Sequence, residues 1–412
     1  MKRRFLFLQG PPGPFFRQLA AALRCAGSDV IRVNFNGGDR LDWRGPAIDF
    51  RLEAECWPSA AEALIEQHDI SDLVLFGDCR PLHLAAASLA AARGITVHVF
   101  EEGYVRPDWV TLEQSGVNGH SPLPRDAEYY CRAAAGLAPV PALPPVPASF
   151  TQRAREAFAY YGATAALAPR FRHYRSHRPF RGAAEAAGWL RRFARRPFAL
   201  WRSGRVRRAL AGPYFVVPLQ LDSDYQLRIH SPFDGMENAI DAILASFAAH
   251  APTGPMLVFK EHPLDNGLRD WRRQIEAAAA ARGIADRVRY LECADIAPLV
   301  ARAHGVVTVN STTGTLALAA GVPVKVLGRA VYDVPGITHQ GPLDGFWAAP
   351  GQPQVEIFAA FRRVLAHRCL LRGGFSSREG RALLIEPAVT RMLSAGDAMP
   401  RVEAAKPVRA LP

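Results

Sequence analysis

Lys260, Glu261 and His262 stand in an unbroken row directly after the apolar run Met256–Phe259, and Pro263 restricts the backbone that follows. An ammonium, a carboxylate and an imidazole at such a junction offer a charge for anion binding and two groups that move protons. A short apolar run bounded by Pro and Gly reads as a buried strand of a parallel sheet. Its charged end then lies at the carboxyl edge, where open α/β sheets bind ligands. The plainer alternative is a polar loop that is simply wet.

Three further stretches carry comparable chemistry. In "QGPPGPFF", Gln9 precedes Gly10 and Gly13, glycines that would let the backbone approach a ligand, although the Pro content does not fit a dinucleotide fingerprint. "FEEGYVRPDWVTLEQSGVNGHS" is expected to be a loop opening on two carboxylates, Glu101 and Glu102. Alternation along a strand turns one of them to a cleft while the other pairs with a neighbour such as Arg106. A cleft carboxylate deprotonates a hydroxyl or attacks an electrophilic carbon. In "VVTVNSTTGTLALAAG", an apolar strand leads through Asn310, Ser311, Thr312, Thr313 and Gly314 into an Ala-rich helix. These hydroxyls and the first helical amides form either a phosphate cradle or an ordinary N-cap. A phosphate cradle, a histidine and a carboxylate together describe transfer from a nucleotide-activated sugar. The four loops contain no metal box, and no metal ion is expected.

Positioning such loops requires sheets. "RRFLFLQ", "DVIRVNF", "DLVLFGD" and "ITVHVFEEG" alternate with helical segments, and so do "YFVVPLQ", "PMLVFKEHP", "RVRYLE", "GVVTVN" and "PVKVLG". This alternation predicts an α/β protein with two Rossmann-like domains facing a cleft. The expected domains are 1–130 on the acceptor side, 131–210 as a Pro-rich then Arg- and aromatic-rich insert, 211–365 on the nucleotide-sugar side, and 366–412 as closing helices with a disordered tail.

The 412 residues carry a formal charge of +12, and the stretch Arg170–Arg208 holds thirteen arginines against one acid, Glu185, so it accounts for all of it. Aromatic residues interleave with those arginines. Arg191, Arg192, Arg195 and Arg196 with Trp189 and Trp201 suit an anionic membrane surface. A solvated helical face is the alternative, and nucleic acid ranks last because the cleft loops carry acids. The six cysteines are scattered and suggest neither zinc nor disulfides. The opening "MKRRFLFLQGPPGPFF" breaks before a signal-peptide core forms, and no apolar run is long enough to span a bilayer. The expected location is therefore cytoplasmic, peripheral on the inner face of the bacterial inner membrane.

"FEEGY" with "RPDWVTLE", "PLQLDSDYQLRIHSPF", "FKEHP", "VNSTTGTLAL" and "AVYDVPGITHQGPLDGFW" together resemble the capsule polysaccharide biosynthesis family, in particular its single-module β-Kdo transferases, over Met1–Leu371. The resemblance implies a glycosyltransferase of the GT-B type, metal-independent and without cofactor, which takes CMP-Kdo as donor and a phosphatidylglycerol-type lipid as acceptor. It implies that His262 meets the donor phosphate, with Lys260 and Pro263 beside it, and that Ser311 and Thr312 hold that phosphate. Glu102 falls on the family's acidic position as nucleophile or base. Gln220, Asp224 and His230 are expected to line the cleft. A linker-extending Kdo transferase and an export complex are the further partners implied. The alternatives are a UDP-sugar transferase or epimerase, and a non-catalytic export component.

Overall fold

The structure is a computed structural model that describes residues 2–176, 182–222 and 224–394. The tail expected to be disordered, and Arg178, Phe180 and Arg181 of the basic stretch, lie outside the described residues. The first half of the chain runs β1 (Arg4–Phe7), α1 (Phe15–Cys25), β2 (Asp29–Asn34), α2 (Gly37–Trp43), β3 (Ile48–Asp49), α3 (Trp57–Gln67), β4 (Asp72–Phe76), α4 (Pro81–Ala92), β5 (Thr96–Glu102), β6 (Trp109–Gln114), α5 (Ala127–Ala135), α6 (Phe150–Ala166) and α7 (Gly182–Ala209). The second half runs β7 (Tyr214–Pro218), α8 (Tyr225–Ile229), α9 (Met236–His250), β8 (Met256–Lys260), α10 (Trp271–Ala281), β9 (Val288–Leu291), α11 (Ile296–Ala301), β10 (Gly305–Thr308), α12 (Thr313–Ala319), β11 (Val324–Val326), α13 (Leu343–Phe346), α14 (Val355–Arg368), β12 (Leu370–Arg372) and α15 (Arg378–Leu393).

Two compact units result, and the α/β class with two helix-flanked sheets is as expected. The first holds a seven-stranded sheet in the order β12-β6-β5-β4-β1-β2-β3. Its strands β3-β2-β1-β4-β5 are parallel, whereas β6 and β12 join antiparallel. The second holds a five-stranded, all-parallel sheet in the order β11-β10-β7-β8-β9. Its strands read as continuous apolar runs because helices cover both faces. Phe215, Phe259, Phe247 and Trp347 are buried in its core, while Phe5, Phe7, Phe15 and Phe100 fill the core of the first.

Three expectations change. "WVTLEQ" is not loop but the strand β6, whose buried Thr111 and Glu113 hide its apolar alternation. The three-residue β12 is too short to show a period, yet it completes the first sheet, so the closing segment is not wholly helical. The proposed insert 131–210 does not stand alone. The stretch from Pro139 that carries α6 packs with the first unit, as does the chain from Leu365, while Pro124–Ala138 and α7 belong to the second. Side chains decide this: Gly37 and Gly38 let α6 lie directly on α2, and Tyr160 of α6 hydrogen-bonds Asp39 at 2.9 Å.

Candidate active site

In the second unit the chain builds β7, β8 and β9 in one direction and then returns to place β10 and β11 on the other side of β7. The order therefore reverses between β7 and β10, and in open parallel sheets the crevice at such a reversal is the ligand site. Gln220 follows β7 and Asn310 follows β10, and the structure joins them there. Gln220 Nε2 donates to Asn310 Oδ1 at 2.7 Å, and Gln220 Oε1 accepts from the Asn310 backbone N–H at 3.1 Å. Asn310 Nδ2 donates to the Gln226 carbonyl at 2.8 Å. Both side chains are buried.

This pairing fixes the hydroxyl loop that follows. Ser311 Oγ accepts the Thr313 N–H at 3.2 Å, while Thr312, the residue at the N-cap position of α12, is half-buried and makes no side-chain cap bond. The Tyr332 hydroxyl donates to the Ser311 carbonyl, and a Cβ on Gly314 would come within 2.5 Å of the Tyr332 ring. Gly314 is thus glycine because an aromatic ring lies on its backbone. Tyr332 sits in the "AVYDVPG" motif, but its part in this loop was not legible from the sequence. The helix α12 has only seven residues, so the loop's hydroxyls and amides, more than a long helix dipole, define what it can bind.

On the other side of β7, β8 ends in Lys260, whose buried ammonium donates to the Glu261 carbonyl at 2.5 Å. Burial lowers the Lys260 pKa. Lys260 therefore braces the turn from below. Glu261 is held by Arg192 of α7 and by the Tyr290 hydroxyl at 2.7 Å; burial pushes its carboxyl up, and those two partners pull it back. His262 is half-buried, and its Nδ1 accepts the Leu264 N–H at 3.1 Å. A ring nitrogen that accepts is unprotonated, so the ring carries its proton on Nε2. Pro263 is exposed.

Asp224 caps α8 through the Gln226 N–H at 2.9 Å, and buried His230 closes that helix, its carbonyl accepting from Arg329. An absence of any Asp-x-Asp pair beside a strand end underlies the expectation of no metal box, yet Asp222 and Asp224 stand two apart in the loop after β7. Asp222 is engaged by the Met236 N–H and by Arg269, each at 3.1 Å.

In the first unit Glu102 ends β5 and pairs with Arg153 of α6 at 3.1 Å rather than with exposed Arg106. The ion pair could not be foreseen because 51 residues separate its partners, from 102 to 153. Glu101 accepts the Glu102 N–H at 3.0 Å and lies against Gly77, whose φ is 68°. Asp78 follows Gly77 and accepts from the Val117 N–H at 3.1 Å, with His120 at 3.0 Å. Burial would raise the Asp78 pKa, but His120 and these bonds hold it below the usual carboxylate range. The "FGD" end of β4 was the available signal for this pair.

The glycines of "QGPPGPFF" approach protein, not an open cradle: Phe16 lies on Gly10 and Glu156 on Gly13. Gln9 is buried and donates to Asp39 at 3.2 Å, and Arg32 and Asp39 form a buried ion pair at 3.3 Å. The cavity at this loop measures about 10 Å³, room for one water at most. Burial pushes the Asp42 carboxyl beside it up to about 6.

The residues assigned to a membrane face divide. Arg192 is committed to Glu261, Arg191 donates to the Gly267 carbonyl, and Trp189 is half-covered. Arg195, Arg196 and Trp201 are exposed. Among the described residues no helix is long and apolar enough to cross a membrane.

The family model described as capsule polysaccharide biosynthesis protein matches residues 71–376. The capsule polysaccharide export protein KpsS of Escherichia coli is 36% identical over 88% of this chain and 94% of its own. The capsule polysaccharide modification protein LipB of Neisseria meningitidis is 36% identical over 90% of this chain and 91% of its own. The solved KpsC of Thermosulfurimonas dismutans, a beta Kdo 2,7 transferase, aligns with 96% of this chain and 100% of its own, at 15% identity and a TM-score of 0.46, too distant a likeness to carry weight. The family match and the two sequence relatives agree: this chain belongs to the capsule polysaccharide biosynthesis protein family.

Proposed function

We propose that the protein is a glycosyltransferase that moves Kdo from CMP-Kdo to a phosphatidylglycerol or lysophosphatidylglycerol acceptor. It would thereby start the lipid-linked poly-Kdo linker of a capsular polysaccharide, at the cytoplasmic face of the bacterial inner membrane. The observation that carries this reading is the switch-point arrangement, in which the Gln220–Asn310 pair holds Ser311 and Thr312 at one side of β7, while β8, which pairs with β7 on the other side, leads into His262. Such an edge suits a nucleotide phosphate. Membership of the capsule family supports a sugar chemistry that serves capsule assembly, and the motif resemblance supports CMP-Kdo as the donor.

In this reading the bond from the anomeric carbon to the donor phosphate breaks, and its electron pair leaves on CMP. The Nε2–H of His262 donates a hydrogen bond to the departing phosphate oxygen and stabilises the charge that collects there. The acceptor hydroxyl oxygen bonds the anomeric carbon and gives its proton to a carboxylate, for which Glu102 is the candidate and Glu101 its neighbour. If donor and product share the β configuration, Glu102 instead attacks first and the acceptor displaces it in a second step. No metal takes part.

The test is a mass-spectrometric assay with CMP-Kdo generated in place and a fluorescent phosphatidylglycerol, with and without EDTA, run beside His262→Ala. Addition of Kdo that survives EDTA and vanishes in the variant supports the reading. No addition by folded protein with confirmed donor overturns it, and a melting temperature raised by UDP rather than CMP would then redirect it to another nucleotide sugar. A response to neither nucleotide would redirect it to a non-catalytic export role.

A further inference from the structure

We infer that α7 lies in the plane of an anionic lipid surface and transmits docking there to the His262 loop through Arg192 and Glu261. The inference rests on the membrane-acceptor reading above and adds a way in which that surface acts on the donor side.

One face of α7 is bound into the second unit. Gly188, Ala199 and Ser203 are buried, at spacings that repeat along one side of a helix. The Gly188 backbone lies against the loop after His262, so that a Cβ there would be 2.5 Å from the Asn266 carbonyl oxygen. Arg191 donates to the Gly267 carbonyl in the same loop. Arg192 pairs with Glu261 and also reaches the Pro263 carbonyl at 3.5 Å, so it touches the residues on both sides of His262. About three turns further on, Arg202 grips Glu292 with bonds of 2.8 to 3.1 Å, and Ser203 accepts the Cys293 N–H at 3.0 Å.

The opposite face is apolar and turned outward. Leu190 is 72% exposed, Phe193 56%, Phe198 66% and Trp201 58%. A helix covering a core does the reverse and shows its polar face to water. Arginines flank the exposed stripe, including Arg195 and Arg196, and Arg205 stacks on Trp201 at 5.1 Å. The helix contains eight arginines and one acid, Glu185. Exposed aromatic rings with flanking arginines match the headgroup region of an anionic bilayer: the rings enter the acyl boundary and the guanidiniums meet lipid phosphates. A lipid surface that immobilises this face holds the inner face as well. Arg192 is then a positioning residue, acting on His262 through Glu261 and the Pro263 carbonyl.

The test uses the full chain and hydrogen exchange, and needs no sugar, so failure of the Kdo assay leaves it readable. Wild type should float with vesicles containing phosphatidylglycerol and not with pure phosphatidylcholine. On the anionic vesicles, exchange should slow about threefold or more in α7 and also in the Phe259–Leu268 peptide. Phe193→Ser with Phe198→Ser and Trp201→Ser should abolish flotation and both changes. Arg192→Gln should still float with α7 protected, but the Phe259–Leu268 peptide should no longer respond, and Arg192→Lys should restore part of the response. The inference is overturned if wild type ignores anionic vesicles, the outcome expected of a face that docks a protein. It is equally overturned if bound wild type leaves the loop's exchange unchanged, or if Arg192→Gln transmits as well as wild type.

Discussion

Gln220 and Asn310 exchange two hydrogen bonds, at 2.7 and 3.1 Å, across the point where the second sheet reverses its strand order. They are 90 residues apart in the chain, and between them they decide where the hydroxyl loop sits. Gln220→Ala leaves the buried Asn310 amide and carbonyl without these partners. The expected cost is about 1–3 kcal/mol of stability, together with a smaller rise in melting temperature on adding CMP than in wild type. Full stabilisation by CMP in the variant would mean that the pair does not organise the nucleotide site.

Gly314→Ala places a methyl group against the buried Tyr332 ring, which cannot retreat without losing its bond to the Ser311 carbonyl. Overpacking of this kind costs about 1–3 kcal/mol, and Tyr332→Phe, which loses only the hydroxyl bond, about 1 kcal/mol. Denaturant melts should rank the two variants in that order. A neutral Gly314→Ala would show that the ring does not pack there.

His262 has two separable jobs, because its Nδ1 accepts the Leu264 N–H while Nε2 carries the proton. In His262→Asn the side-chain oxygen replaces Nδ1 and nothing replaces Nε2. The turn should survive, with near wild-type melting, while kcat falls by about 10²–10³. Substantial turnover in His262→Asn would mean that the imidazole does not stabilise the departing phosphate.

Burial pushes the Glu113 carboxyl up to about 7, although Tyr104 and Ser121 both hydrogen-bond it. Its folded pKa lies above the unfolded value of 4.5, so the protonated group's contribution is fully present below that pH and is lost as pH rises through about 7. Glu113→Gln removes the charge while keeping the shape. It should exceed wild type in stability by on the order of 2–3 kcal/mol near pH 8, and the gap should close towards about pH 5. An equal gap at both ends of the range would show that the carboxyl is ionised in the fold throughout.

The sequence by itself determined the alternating elements and the loops that could carry chemistry. The runs around Phe7, Val33, Val74 and Val99 in one half, and around Val216, Val258 and Val307 in the other, are apolar because each strand is buried by its own helices, and that signal is local. Lys260, His262 and Ser311 could be placed at strand ends for the same reason. Partnership was not local. The pairing of Glu102 with Arg153, of Gln220 with Asn310 and of Arg192 with Glu261 joins residues 51, 90 and 69 positions apart. The glycines at 10 and 13 read alike whether a ligand or a side chain faces them, and Phe16 and Glu156 decided which. In the same way α7 carries arginine on both faces, and only the packing of Gly188, Ala199 and Ser203 settled which face the protein keeps and which it turns outward.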